Sequence, residues 1–341
     1  MQVCTDLLLD KNASKSGKDV MNNHNYAIDI LKCVAVLFIF NAHSTMLYPV
    51  FPWLSTGGYV GDALFFFCSG FTLLLADGSR LGRFDTWYKR RLSRIWPSTI
   101  AFGLVAWFVS GRSISVWCAL SGVGWFVRYI LVVYIAIWVL GKFCIRWMKS
   151  VFVVSVVLSL GLCFFCLWTG DKAPEHWKWP LFFPVVLLGA MVGKDCSNSE
   201  KTFAFVTNAC ATIVSFCAFT LTVAISSRLI GMNYLQMLEL PFLLAFVFYG
   251  YRTAKSNPVA KLMASRLRWP ILWIGGLCLD FYLIKVMFIS SALNFIFPLN
   301  LPVMLLYLLL IAYLNHSLGH IIQQTFSPRR EPYDWNAVFR V

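Results

Sequence analysis

Residues 26–48 read YAIDILKCVAVLFIFNAHSTMLY. The run is long and apolar enough to cross a bilayer as a helix, yet it holds three ionisable side chains, Asp29, Lys32 and His43. Lys32 and His43 are eleven positions apart. At about 100° per residue that is three turns plus about 20°, with a rise of about 16 Å, so both project from one face. Asp29, three positions before Lys32, falls within about 60° of the same line. Placing one such group in hydrocarbon costs about 2.5 to 3.5 kcal/mol on insertion scales. An aligned set should therefore face protein or water, which makes this helix a candidate active-site wall.

Working outward, 59% of the 341 residues are hydrophobic and 13% charged, with a mean hydropathy of +0.70. These values describe an all-α, polytopic integral membrane protein rather than a soluble domain. About ten transmembrane helices are expected, near 26–48, 57–76, 95–110, 123–141, 150–168, 180–193, 203–225, 234–251, 269–291 and 301–323. Residues 1–25 are polar and lack the apolar core of a signal peptide, so they are expected to form a disordered cytosolic tail. Residues 26–323 are expected to form the transmembrane domain and 324–341 a cytosolic tail, loosely ordered from Ser327 onward. No internal repeat is visible, which weighs against a transporter built from duplicated halves.

The net charge of +14 would suit nucleic acid if the cations formed one surface. They do not. With a cytosolic N-terminus and ten alternating spans, the external loops hold only Arg112, Lys172, Lys178 and Arg228, and the spans only Lys32, Arg128 and Lys285. The remaining cations fall in cytosolic segments, which is the positive-inside pattern. The basic excess reports topology, and no nucleic-acid partner is expected. The eleven cysteines are scattered through predicted helices and read as small buried hydrophobes rather than a disulfide framework.

Several further residues carry chemistry. The second span, GYVGDALFFFCSGFTLLLA, combines Asp62 near its external end with Ser69-Gly70, a pair that also permits close helix contact. The stretch GSRLGRFDTWYKRRLSRIWP places Arg91 and Arg94 one turn apart on a helix entering the membrane. Forked guanidinium groups suit a phosphate-bearing ligand, and anionic lipid would satisfy the same cations. Arg128 lies five residues inside the fourth span, where it either snorkels outward or faces the cavity of His43. Trp177 and Trp179 read as interfacial anchors. Glu239, Asp280 and Lys285 are costly charges within spans; the last two are five positions apart, about 140° around a helix, so each is expected to find its partner on another helix. His316 and His320 have the i,i+4 spacing of metal ligands without a carboxylate cluster beside them, and no metal is expected.

Taken in order, these pieces resemble the membrane acyltransferase 3 family. DILK and His43 resemble that family's D-x-x-R-x10-H element, GYVGDALFFFCSGF its second-helix motif, RRLSRIWP its R-x-x-R-I-x-P element, and GWFVRYILVVY and WIGGLCLDFYLIK its later segments. The likeness runs from about residue 26 to residue 290. Three positions depart from the pattern: Lys32 replaces an arginine, Asp62 stands one residue farther from Ser69, and Lys285 replaces a histidine.

The resemblance implies transfer of an acyl group, usually acetyl from acetyl-CoA, to a sugar hydroxyl of a cell-surface or secreted glycan. It implies His43 as general base or transient acyl carrier, with Asp29 and Ser69 in the catalytic set and Lys32, Arg91, Arg94 and Arg128 holding the donor. Asn41, Ser69 and Arg128 are candidates for steadying the thioester oxyanion. A surface glycan or lipid-linked oligosaccharide acceptor and membrane lipid are the expected partners, and the bacterial cytoplasmic membrane, with both termini cytosolic, the expected location. Two other readings stay open: a flippase for a lipid-linked sugar, and an inactive scaffold or sensor of the same fold.

Overall fold

The computed structural model describes residues 25–74, 81–110, 124–169, 174–196, 203–228, 233–326 and 332–341. The expected tail over residues 1–24 lies outside them. The described residues form thirteen α-helices: α1 (Tyr26–His43), α2 (Gly58–Leu73), α3 (Phe84–Ser110), α4 (Gly124–Phe143), α5 (Met148–Thr169), α6 (Pro174–Cys196), α7 (Phe205–Arg228), α8 (Glu239–Ala254), α9 (Asn257–Met263), α10 (Arg268–Gly276), α11 (Cys278–Phe288), α12 (Asn300–Thr325) and α13 (Trp335–Val338). The chain is an all-α polytopic membrane protein. A helix stands at each of the ten expected positions. Six of them, α1, α3, α4, α5, α7 and α12, are long and apolar enough to span a bilayer, and α10 with α11 makes a seventh, bent by 68°. Among the described residues α2, α6 and α8 do not pass that measure; α2 and α8 have only 16 residues each.

Helix α1 begins where Asn25 caps it, its side chain accepting from the Ala27 amide at 3.2 Å while its Nδ2 donates to the buried Tyr251 hydroxyl at 3.2 Å. It ends at His43, five residues earlier than the apolar run. The chain then turns through short 3-10 segments, Thr45–Leu47 and Pro52–Leu54. Asn41 holds that turn: its Nδ2 donates to the Leu54 and Thr56 carbonyls at 2.8 and 3.0 Å, and its Oδ1 accepts from the Tyr48 hydroxyl at 2.6 Å. Asn300, at the start of α12, donates to the Leu47 carbonyl at 2.8 Å. The end of α1 and the start of α12 therefore share one end of the bundle, here called the far end.

Small residues set the closest contacts. A Cβ on Gly70 would collide with the Val186 carbonyl, one on Gly189 with that of Phe67, and one on Gly193 with that of Phe71. Helices α2 and α6 thus pack backbone against backbone, the packing that small residues permit where no hydrophobic drive separates helix from lipid. Gly275 performs the same service for α1, since a Cβ there would lie 2.8 Å from the Asp29 carbonyl oxygen. Gly275 and Gly276 immediately precede the bend, where glycine pairs commonly kink helices.

The tail differs from expectation. Residues 332–341 are docked on the bundle: the Gln324 amide side chain and the Asp334 backbone exchange two hydrogen bonds of 2.9 and 3.0 Å, the Tyr313 hydroxyl donates to the Phe339 carbonyl at 3.2 Å, and Val338 is fully buried. Burial of Val338 and the hydrogen bonds between α12 side chains and the tail's backbone outweigh its polar composition.

Candidate active site

At the far end, His43 is exposed to a cavity of about 560 Å³ whose wall also includes Asp62 and Lys285, with Tyr59, Trp125 and Tyr282 as its aromatic faces. The volume lies in the usual range for a small-molecule site. Three helices deliver the polar groups: α1 ends at His43, α2 brings Asp62 on its second turn, and α11 brings Lys285. Phe182 stacks behind both Tyr59 (6.1 Å, 22°) and Trp125 (5.8 Å, 24°), so these rings are fixed from outside the cavity. Asp62 is within electrostatic range of Tyr59 and Tyr282. Lys285 is only 2% exposed; its Nζ donates to the Tyr282 carbonyl at 3.0 Å and lies 3.1 Å from the centroid of the Tyr282 ring.

At the opposite, basic end a second cavity of about 550 Å³ is lined by Arg83, Arg90, Arg91 and Arg94, with Thr72, Thr86 and Trp87. Arg91 donates from Nη2 to the Thr72 carbonyl at 3.2 Å and lies over the Trp87 ring at 5.4 Å. Four guanidinium groups converging on one space form an anion site with forked, always-charged donors. Helix α3 starts at Phe84 rather than after the cationic stretch, so Arg90, Arg91 and Arg94 stand on one rigid frame, with Arg83 immediately before its first residue.

The structure therefore brings some expected site residues together and separates others. Arg91 and Arg94 share the basic cavity, and Asp62 shares the far one with His43. Lys32, half-buried midway along α1, belongs to neither wall and lies in electrostatic range of Cys68 on α2 and Cys278 on α11. Asp29 stands in the first turn of α1, about 21 Å along the axis from His43, too far to join it at a reacting centre. Ser69 is hydrogen-bonded to Tyr134, which is in electrostatic range of Arg91 and Arg94; seven residues of α2, about 10 Å, separate it from Asp62. Arg128 is exposed on α4, one turn from Trp125 at the far-end cavity, whereas α4 meets the basic end at Lys142 beside Arg83. Arg128 itself lines neither cavity. Asn41 spends its amide on the turn after α1 and is not an oxyanion donor.

Two further expectations concern buried charge. Asp280, 2% exposed, accepts from Asn315 Nδ2 at 2.7 Å and pairs with His316 Nδ1 at 3.0 Å, so its partners do lie on another helix. His316 and His320 have ring centroids 4.6 Å apart, and no group of three or more His, Cys, Asp or Glu arranged to hold a metal occurs among the described residues. Eight of the cysteines among the described residues are free thiols.

Residues 25–314, which carry both cavities, match a family model described as an acyltransferase domain. This chain belongs to the acyltransferase 3 family. No curated protein and no solved structure matches it. Membership in the acyltransferase 3 family makes it a membrane acyltransferase, and the matched region begins at the cap of α1 and ends inside α12. Sequence reasoning missed Lys285 as a neighbour of His43, and Arg83 and Arg90 as partners of Arg91 and Arg94. The arginines stood in one visible cluster; the lysine gave as signals its cost in a span and its place where the family pattern has a histidine.

Proposed function

We propose that the protein is a membrane O-acetyltransferase that moves an acetyl group from acetyl-CoA to a sugar hydroxyl of a cell-surface or secreted polysaccharide. One observation carries this reading: a histidine-bearing, aromatic-walled cavity at one end of α2 and an arginine cavity at its other end. The arginines suit the phosphates of the donor, and the positive-inside rule assigns their end to the cytosol, where CoA is made. The thioester arm extends from there past Lys32 toward His43. At the far end Tyr59 and Trp125 offer flat apolar faces to a sugar ring, and the acceptor is a surface glycan or lipid-linked oligosaccharide. The membrane is the bacterial cytoplasmic membrane.

In the reaction the His43 imidazole takes the proton of the acceptor hydroxyl as its oxygen adds to the thioester carbonyl. The tetrahedral intermediate then collapses, the C–S bond breaks, and the thiolate recovers the proton from the imidazolium. Asp62 provides the carboxylate that favours the charged imidazolium while it lasts. The test is mass spectrometry of glycans from cells carrying the wild-type gene, no gene, or His43→Ala. Acetyl-bearing sugars are expected only with the wild-type gene, although the variant reaches the membrane in equal amount. Equal acetyl content with His43→Ala would remove the assignment.

A further inference from the structure

A lysine close to the end of a membrane helix ordinarily snorkels, laying its stem along the helix and putting its ammonium into interfacial water. Lys285 is three residues from the end of α11 at Phe288, well placed to do so. Instead the side chain is 2% exposed and its ammonium is turned back onto Tyr282, 3.0 Å from that carbonyl oxygen and 3.1 Å from the ring centroid. These contacts hold a positive charge in the wall that also carries His43 and Asp62. A group kept only to anchor the helix in the interface would face the other way.

Transfer creates two charges in that cavity at once. When the hydroxyl oxygen adds to the carbonyl carbon, the carbonyl oxygen becomes an oxyanion and the imidazole that accepts the proton becomes a cation. The wall already holds one fixed charge of each opposite sign, Asp62 for the imidazolium and Lys285 for the oxyanion. We infer that Lys285 is a catalytic residue of the transfer, its ammonium stabilising the oxyanion of the tetrahedral intermediate. The inference rests on the reading that acyl transfer takes place in the His43 cavity. No proton leaves the ammonium: the oxyanion re-forms the carbonyl as the C–S bond breaks, and the ester and the free thiol depart. Fixed charge aimed at developing charge acts on the transition state more than on the bound donor, so its removal should affect the maximal rate rather than donor affinity.

The experiment uses inverted membrane vesicles from cells making the full chain and their own glycan, with radiolabelled acetyl-CoA supplied outside and label counted in the glycan. Equilibrium binding of the same labelled donor serves as a second readout. Lys285→Met is expected to lower the maximal rate by about 10²-fold or more while donor binding stays within about twofold. Lys285→Arg, which keeps the charge, is expected to retain about a tenth of the parent rate or better. A methionine variant within about threefold of the parent overturns the inference. So does loss of donor binding in that variant, which would mark Lys285 as structural, and so does an arginine variant no better than methionine. A parent protein that transfers no label removes the underlying reading as well, and only in that case is the parent itself silent.

Discussion

Arg91 and Arg94 are one turn apart, yet they differ in how firmly they are held. Arg91 is tied to the Thr72 carbonyl and the Trp87 ring, whereas Arg94 is exposed at the mouth of the basic cavity. A guanidinium already positioned loses less freedom when it meets a phosphate. Arg91→Ala should therefore raise the donor KM by about tenfold or more, from loss of a charged hydrogen bond, with a smaller effect from Arg94→Ala. Arg91→Lys should recover only part of the loss, because an ammonium keeps the charge without the fork. Donor titrations in the vesicle assay check all three. At this scale the sequence was informative where one helix carried the pattern: Arg91 and Arg94, one turn apart, do line one cavity, whereas the face expected for Lys32 with His43 leaves Lys32 on neither cavity wall. It marked Lys285 as a costly charge but did not place it beside His43, because whether α11 turns that residue toward His43 depends on the bend at Leu277, and no period of α11 alone encodes a bend.

Among the elements, α2 and α6 show how little tolerance a helix contact has when both backbones touch. Gly189→Leu places a branched side chain against the Phe67 carbonyl; no rotamer relieves a clash at Cβ, so the helices must part. Loss of the well-folded protein is expected, seen as a collapsed melting transition or aggregation in detergent. Gly161→Ala on α5 meets nothing within 4 Å and should leave the melting temperature unchanged. Asp280 clamps α11 to α12 through Asn315 and His316. Asp280→Leu takes the Asp280 acceptor from His316 and one of two acceptors from Asn315, whose Nδ2 keeps the Ser98 carbonyl at 3.2 Å; losing these buried hydrogen bonds costs about 1 to 3 kcal/mol, measurable as a shift in the same melt. Helix positions were legible because apolar runs of span length are hard to mistake. The bend was signalled only by Gly275-Gly276, and such a pair reads equally well as a close-packing site: Gly275 does pack against α1, while Gly276 faces Val341.

For the molecule as a whole, α1 ends and α12 starts at the far end, so α1 starts and α12 ends at the basic end. The docked tail was not legible, since its polar composition conceals Val338 and the hydrogen bonds that seat it. Removing residues 332–341 should lower the melting temperature by about 2–4 °C per kcal/mol lost, and a reporter fused after Val341 should face the cytosol. The two cavities lie at opposite ends of one short helix: Asp62 borders one and Thr72 the other, ten residues or about 15 Å apart along α2. That interval acts as a ruler. An acetyl donor anchored among the arginines delivers its cargo only if a tether of matching length joins anchor to thioester, so acetyl phosphate, whose acetyl sits directly on its phosphate, should be refused however tightly its anion is held.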